Sequence, residues 1–393
     1  MESPIVQNEL PDSSSQDLQL TQATPKECAK IWTNTSASWR DSLTVPVYLQ
    51  EQLCLSDVPL ARNGGMTTWI LVEKNVPPDH RRILCSCESF LKRSLMSTDG
   101  NVKDVIVHGV ASVFCPLDYR RQGYAARHMK EVAKALRYWQ SPQARVVGSV
   151  LYSDIGKKYY AKFGWKPNAS NWHMELPPVN RSKPLAAREV VEDDLRELCH
   201  RDEAIIRDAM AKPADGVKKL VTILPNLDHM LWHIRKEDFA TQQLFGKIPR
   251  AKGAIAGLPG YQAWAIWTHR YYMHPNAESG DNVLYVLRLV VQGDVSANKP
   301  SFSRDSRLQG QKKEGQEEAL MAVLQCAQAE AAEWQLNHVK LWEPTSWVQD
   351  VITKSSLGHR IVEREEDSVA SFLWYDEEES APVWINNEHY AWC

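Results

Sequence analysis

Apolar residues gather in short runs along this chain, and at a few places their spacing lengthens to that of a helix. Val105 to Cys115 reads as a strand that stops at Pro116. Beyond it Met129, Val132, Ala133 and Leu136 fall on one helical face, with Arg127, Lys130, Glu131 and Lys134 on the other. Arg145 to Tyr152 is the next apolar strand. It leads into Ser153 to Trp165, where Ser153 is placed to cap a short helix and Gly164 to stop it. Upstream, Leu18 to Ala23 predicts a strand. Thr24-Pro25-Lys26-Glu27 is a capping box with proline at the first helical position, and its helix runs on through Ile31 and Trp32. Trp69 to Glu73 and Ile83 to Glu88 predict two strands joined by a turn over Asn75 to Asp79, and Trp172 to Leu176 predicts a last one.

The proline-rich polar stretch Pro177 to Pro184 predicts a boundary, with one domain over residues 1–180 and another over 185–393. Past it, helices are expected over Glu189 to Lys212 and Leu227 to Phe245, then strands over Ala263 to Tyr272 and Val283 to Val291. A polar loop from Gln292 to Gly315 precedes an alanine-rich helix from Gln316 to Gln335. His338 to Trp342 reads as a strand, Thr345 to Lys354 as a short helix and Arg360 to Tyr375 as a hairpin. This order repeats that of the first half. The fold class is therefore α/β, with the second domain either a degenerate copy of the first or an unrelated α/β unit.

A chain of 393 residues has room for two cores. Its 46 basic and 49 acidic residues leave a formal charge of −3, which argues against a nucleic-acid or anionic-membrane surface; pairs such as Arg81-Arg82 and Lys312-Lys313 read as solvated faces. Glu2, Glu9, Asp12 and Asp17 interrupt the start of the chain, where a secretory signal needs an apolar run, and no stretch approaches membrane-spanning length. The eight cysteines are scattered and contain no Cys-x-x-Cys, and the twelve histidines form no ligand cluster. These features predict a cytoplasmic protein with free thiols and no metal, and leave the oligomeric state open.

The chemistry concentrates where the strand ending at Cys115 turns into the following helix. Gly123 and Ala125 carry almost no side chain, so a ligand can approach the free N–H groups of the first helical turn, where the helix dipole favours an anion. A diphosphate suits such a turn, although an ordinary strand-to-helix connection has the same outline. The pattern Arg120-x-x-Gly123-x-Ala125 lacks the Gly-Lys-Ser/Thr of a P-loop and has one glycine where a dinucleotide fingerprint has three.

It resembles the acetyl-CoA pyrophosphate loop of the GNAT superfamily of N-acetyltransferases. In that family a later stretch ends in Tyr-x-x-x-Gly-Phe, and here Tyr160 is followed by Gly164 and Trp165 at the same spacing. The element order of the first half also matches. Further segments make the whole chain similar to the fungal lysine acetyltransferases that act on the ε-amino group of free lysine: Cys85 to Glu88, Ala111 to Phe114, Ala263 to Arg270, Leu284 to Leu289 and the tail Asn387 to Cys393. The resemblance implies acetyl-CoA as cosubstrate and direct transfer to an amine in a ternary complex. It implies that Val113, Phe114 and Cys115 pair with the pantetheine arm and that Arg121, Gln122, Gly123, Tyr124, Ala125 and Ala126 hold the diphosphate, with Arg120 in the family's basic position. Tyr160 matches the tyrosine that protonates the leaving thiolate. Ser153 stands where many members place an asparagine against pantetheine.

An ε-amine with a pKa near ~10.4 costs about 4.6 kcal/mol to deprotonate at pH 7, at roughly 1.36 kcal/mol per unit. A proton acceptor is therefore needed. Val105 to Cys115 holds no carboxylate, whereas many family members place a glutamate on this strand; Glu88 and His108 are the candidates for a base acting through water, and each is also compatible with a structural role. Free lysine further needs a cation for its carboxylate, for which Arg270 and Arg288 on strands of the second half are candidates. Acetylation of another small amine or of a protein lysine, and a non-catalytic acyl-CoA-binding module, are the competing readings.

Overall fold

The structure, a computed structural model, describes residues 10–142, 144–212, 217–277, 280–294, 315–376 and 380–392. Most of the predicted Gln292 to Gly315 loop, with Lys312 and Lys313, lies outside these residues, as does Cys393. The first half contains β1 (Leu18–Gln22), α1 (Pro25–Trp39), α2 (Val45–Ser56), β2 (Met66–Glu73), β3 (Cys85–Thr98), β4 (Asn101–Phe114), α3 (Tyr124–Leu136), β5 (Val146–Ser153), β6 (Lys166–Pro167) and β7 (Trp172–Leu176). The second contains β8 (Ala187–Val190), α4 (Leu195–Met210), β9 (Lys219–Ile223), α5 (Leu227–Phe245), β10 (Gly253–Ala256), β11 (Ala263–Arg270) and β12 (Val283–Val291). It ends with α6 (Gln316–Glu333), β13 (His338–Trp342), α7 (Ser346–Lys354), β14 (Arg360–Glu363), β15 (Val369–Trp374) and β16 (Val383–Trp384).

Local chemistry explains most of these boundaries. The capping box at α1 is formed: Thr24 accepts from the Glu27 N–H, and the Glu27 carboxylate accepts from the Thr24 N–H. β3 and β4 make one long hairpin because Asp99 and Gly100 both take positive φ, the requirement of a two-residue turn that keeps the strand twist. The apolar stripe of α3, Met129, Val132 and Leu136, packs on the sheet with Trp69, Cys87 and Leu151.

The strands form a mixed α/β fold with two sheets among the described residues. One follows the order β1-β2-β3-β4-β5-β15-β6, with β9 on the outer half of β3 and β16 beside β9; the other follows β14-β7-β13-β12-β11-β10-β8. In the first, β3 and β4 are antiparallel, β4 and β5 parallel, and α3 crosses between them. In the second, β11 and β12 are antiparallel, β12 and β13 parallel, and α6 makes the crossing. The second half thus repeats the topology of the first, and both halves are GNAT-like.

The sheets do not divide at Pro177 to Pro184. β7, expected to close the first domain, pairs with β13 and β14, whereas β9, β15 and β16 from the second half join the first sheet. The predicted Arg360 to Tyr375 hairpin is likewise replaced by two strands in different sheets. Its turn is pulled apart because the Arg364 N–H donates to the Asn171 carbonyl at 2.7 Å and the Ser368 N–H to the Asp154 carboxylate at 2.9 Å. One core then spans both sheets, with Val105, Val107, Val147 and Val150 against Ile255, Trp264, Ile266 and Leu287. The stretch read as a helix from Glu189 begins instead as β8, because its register with β10 buries Val190. No described helix is long and apolar enough to cross a membrane.

Candidate active site

β4 and β5 part company before their C-terminal ends. Their pairing runs from Ile106 opposite Val146 to Val110 opposite Leu151 and stops there. Ser112 takes φ +53°, and the register between β3 and β4 shifts between Ser86 and Glu88, so the end of β4 bends away from β5. On its other edge β5 stays paired with β15 as far as Ser153 opposite Val369. The edge of β4 from Ala111 to Phe114 that faces the opening is consequently free of strand partners, as an extended ligand forming an extra strand would require.

The turn after β4 has the backbone the sequence demands. Arg121 and Gly123 take φ of +62° and +88°, and Gly123 sits at the N-cap of α3. The first intrahelical donor is the Arg127 N–H, to the Gly123 carbonyl at 3.0 Å, so Tyr124, Ala125 and Ala126 present unpaired N–H groups. No acidic side chain stands in this first turn. Several side chains are committed elsewhere. Arg120 donates through Nε to the Cys115 carbonyl at 2.9 Å and lies over the Phe114 ring, and Gln122 donates to the Asp118 carbonyl. Tyr124 is buried and donates to the Pro11 carbonyl at 2.7 Å, so only its backbone faces the turn. The segment carrying Pro11 and Ser13 crosses this turn, with a Cβ placed on Gly123 falling 2.4 Å from the Ser13 Oγ.

Tyr160 and Glu88 flank the opening from opposite faces of the sheet. Tyr160, 9% exposed, clusters with Val110 and Leu151, the last closed pair of β4 and β5, and meets the edge of Tyr159 with 5.1 Å between centroids. Burial raises its pKa, with Tyr159 and the Cys85 and Cys87 thiols adding to the effect, so the phenol stays protonated. Glu88 lies on the α1 side and accepts from Ser112, the residue at the bend, at 2.9 Å. Burial raises its pKa also, while that hydrogen bond opposes the shift.

Three sequence candidates are placed otherwise. Ser153 stands at the end of β5, but its hydroxyl donates to the Gly156 carbonyl at 2.8 Å and accepts from the Ile155 N–H, closing a local turn. His108 is fully buried against Gln140, with Nε2 to Oε1 at 3.1 Å, and burial lowers its pKa to about 4. Arg288 is held by Asp202 at 2.7 and 2.8 Å and by Glu388. It lines a cavity of about 390 Å³ within the second half, beside Ile205, Gly293 and Thr345. Two carboxylates already satisfy it, which removes it as a cation for an acceptor.

Arg270 does stand between the halves. Its guanidinium meets Asp41, from the α1–α2 connection, at 2.9 Å and lies over the rings of Tyr272 and Trp392. A run of aromatics continues from there. The Tyr272 and Tyr285 hydroxyls are 3.0 Å apart, Tyr285 stacks on His389 at 3.8 Å, and Trp342 sits between His389 and Tyr152. The sequence pointed to the tail and to Leu284 to Leu289, but not to Asp41, Tyr152, Trp342 or Arg364, because their convergence comes from segments far apart in the chain.

The paired topology and the turn opening α3 define a GNAT-type acyltransferase. Residues 173–393, more than half of the chain, match the family model for the LYC1 GNAT-like C-terminal domain, and the chain belongs to that family. The match begins within β7, the first strand of the second sheet. A "Lysine acetyltransferase" of Yarrowia lipolytica is 22% identical over 290 residues, covering 63% of this chain and 71% of that protein. Among solved structures, Saccharomyces cerevisiae N-myristoyltransferase with bound myristoyl-CoA superposes with a TM-score of 0.51 at 8% identity, over 97% of this chain and 84% of that one. A GCN5-related N-acetyltransferase from Kribbella flavida gives 0.49 at 13% identity, over 91% and 70%. The family makes the protein an enzyme, an acyltransferase, with an acyl-CoA cosubstrate.

Proposed function

We propose that this enzyme transfers an acetyl group from acetyl-CoA to the ε-amino group of free lysine by direct attack in a ternary complex. The observation that carries this reading is the opening between β4 and β5, with an anion-accepting turn beyond it and a phenol and a carboxylate on opposite faces. Val113, Phe114 and Cys115 offer backbone groups to the pantetheine arm, and the N–H groups from Arg121 to Ala126 hold the diphosphate. Glu88 accepts the proton of the amine through water; its raised pKa improves it as a base near neutrality. The amine lone pair forms the new C–N bond, the C–S bond breaks, and Tyr160 gives its proton to the departing sulfur. The likeness to a lysine acetyltransferase supports lysine over other amines. The scattered free cysteines support a cytoplasmic setting.

The second half serves as a wall of the acceptor site and holds no CoA of its own. Its α6 also opens at a glycine, Gly315 with φ +89°, but Glu317 and Glu318 occupy the first turn and repel a diphosphate. A panel of free amino acids, polyamines and peptides with acetyl-CoA, read by thiol release, tests the whole reading. Lysine should turn over fastest; turnover of peptides but not lysine would overturn the acceptor.

The turn is tested separately by Gly123→Val. At φ +88° a β-branched residue is strained by roughly 1–2 kcal/mol or more, and its side chain collides with Ser13 in the segment that crosses the turn, so the turn must shift. CoA affinity measured by calorimetry should fall at least about tenfold, the loss of one charge-assisted hydrogen bond, in a protein that still unfolds cooperatively. Unchanged affinity would remove the diphosphate from this turn.

A further inference from the structure

Arg364 is 2% exposed and carries its charge without an ion-pair partner among the described residues. Its Nη1 donates to the Ser368 carbonyl at 2.6 Å, whereas Nε and Nη2 are buried without a hydrogen-bond acceptor. Other arginines in the interior have a carboxylate in contact, Arg81 with Glu27, Arg270 with Asp41 and Arg288 with Asp202 and Glu388, although the Arg270 Nε also lacks an acceptor. Glu343 and Asp367 act on it only at a distance, and a guanidinium taken out of water without a carboxylate in contact is among the costlier arrangements in a fold. The Nε and Nη2 atoms are also the edge of the group that grips a carboxylate with two parallel hydrogen bonds.

Its position is as informative as its missing partner. Arg364 lies in the turn that carries the chain from the second sheet to the first, and that turn is tied to the end of β5 through Ser368 and Asp154. The guanidinium stacks on Trp342, 3.7 Å from Cζ to the ring centroid. Tyr152, the penultimate residue of β5, and Tyr285 of β12 stand 5.8 and 6.3 Å from the same indole. The buried cation therefore borders a packed aromatic cluster that starts at the strand flanking the acyl opening. Aromatic walls suit a methylene chain, and the guanidinium at the border suits an anionic head.

We propose that Arg364 binds the carboxylate of the acceptor, so that the substrate is an amino acid with a free carboxylate and a distant amine. This rests on the acyl-transfer reading above and gives Arg364 the part that the sequence assigned to Arg270 or Arg288. It also sets the enzyme against protein lysines, whose backbone offers an amide at that position.

The test uses the full chain with lysine, 6-aminohexanoate, which keeps the carboxylate, and cadaverine, which lacks it. Wild-type kcat/KM for 6-aminohexanoate should exceed that for cadaverine by about 10–100-fold, the worth of hydrogen bonds to a charged group. In Arg364→Gln this ratio should approach one, through a higher KM for lysine and 6-aminohexanoate, while the KM for acetyl-CoA stays within about twofold. Should that variant fail to fold, Arg364→Lys, which keeps the charge but loses the fork, should lower the ratio without abolishing it. A wild-type ratio of one, or an undiminished ratio in a folded variant, overturns the assignment to Arg364 while lysine acetylation itself stands. Absence of lysine turnover with activity on peptides overturns the acyl-acceptor reading and this assignment together.

Discussion

A fragment of residues 1–180 is expected not to fold. It keeps the turn, the phenol and Glu88, yet it loses β15 from between β5 and β6 and β9 from beside β3. Gly148 shows how closely β15 belongs there, since a Cβ at that position would lie 2.6 Å from the Leu373 carbonyl oxygen. Met96, Val105, Val107, Val147 and Val150 would lose the second-sheet side of their shared core. At roughly 1.5–3 kcal/mol per buried apolar side chain, exposing these five costs up to about 7–15 kcal/mol. That equals the entire net stability of an ordinary domain, about 5–15 kcal/mol. The open edge of β5 would in addition invite aggregation. Far-UV circular dichroism and a urea titration check this: the fragment should show no cooperative transition. A fragment that unfolds cooperatively and acetylates lysine at the full-length rate would show that the exchanged strands are dispensable.

Tyr160→Phe should lower kcat by about 10²–10⁴, the usual worth of a general acid, with the KM for acetyl-CoA little changed. The substitution removes one hydroxyl and leaves the packing against Val110 and Leu151 in place, so binding and stability should hardly move. Burial raises the phenol's pKa above its ordinary value of about 10, so Tyr160 remains a donor throughout the working range. A falling limb in the wild-type pH profile below about pH 10 must then come from another group. Steady-state rates by thiol release decide it, and a variant with wild-type kcat would leave Tyr160 as a packing residue.

Both predictions draw on features of different legibility. The strand ending at Cys115, the helix stripe of Met129, Val132 and Leu136, the capping box at Thr24 and the glycine opening α3 were all readable, because each is a local matter of period, cap or backbone freedom. The sequence placed Tyr160 correctly in order along the chain, but not against Val110 and Leu151. It ranked Glu88 beside His108 without separating them. What separates them is the bend at Ser112 and the side chain of Gln140, neither of which leaves a periodic signal.

The sequence by itself determined the order of elements in the first half, its repeat in the second and the glycine that opens α3, since these depend on residues within a few positions of one another, although it read β3 only as far as Glu88 of a strand that runs to Thr98. Only the tertiary structure decided where the strands go. β7 and β15 pair in the sheet of the opposite half, where their registers satisfy backbone groups and leave Met174 and Ala370 fully buried, a pairing that no local pattern reports. It also decided which cation lacks a carboxylate in contact. Arg270, Arg288 and Arg364 are indistinguishable as letters in a sequence, and Asp41, Asp202 and Glu388, the acids in contact with the first two, come from distant segments.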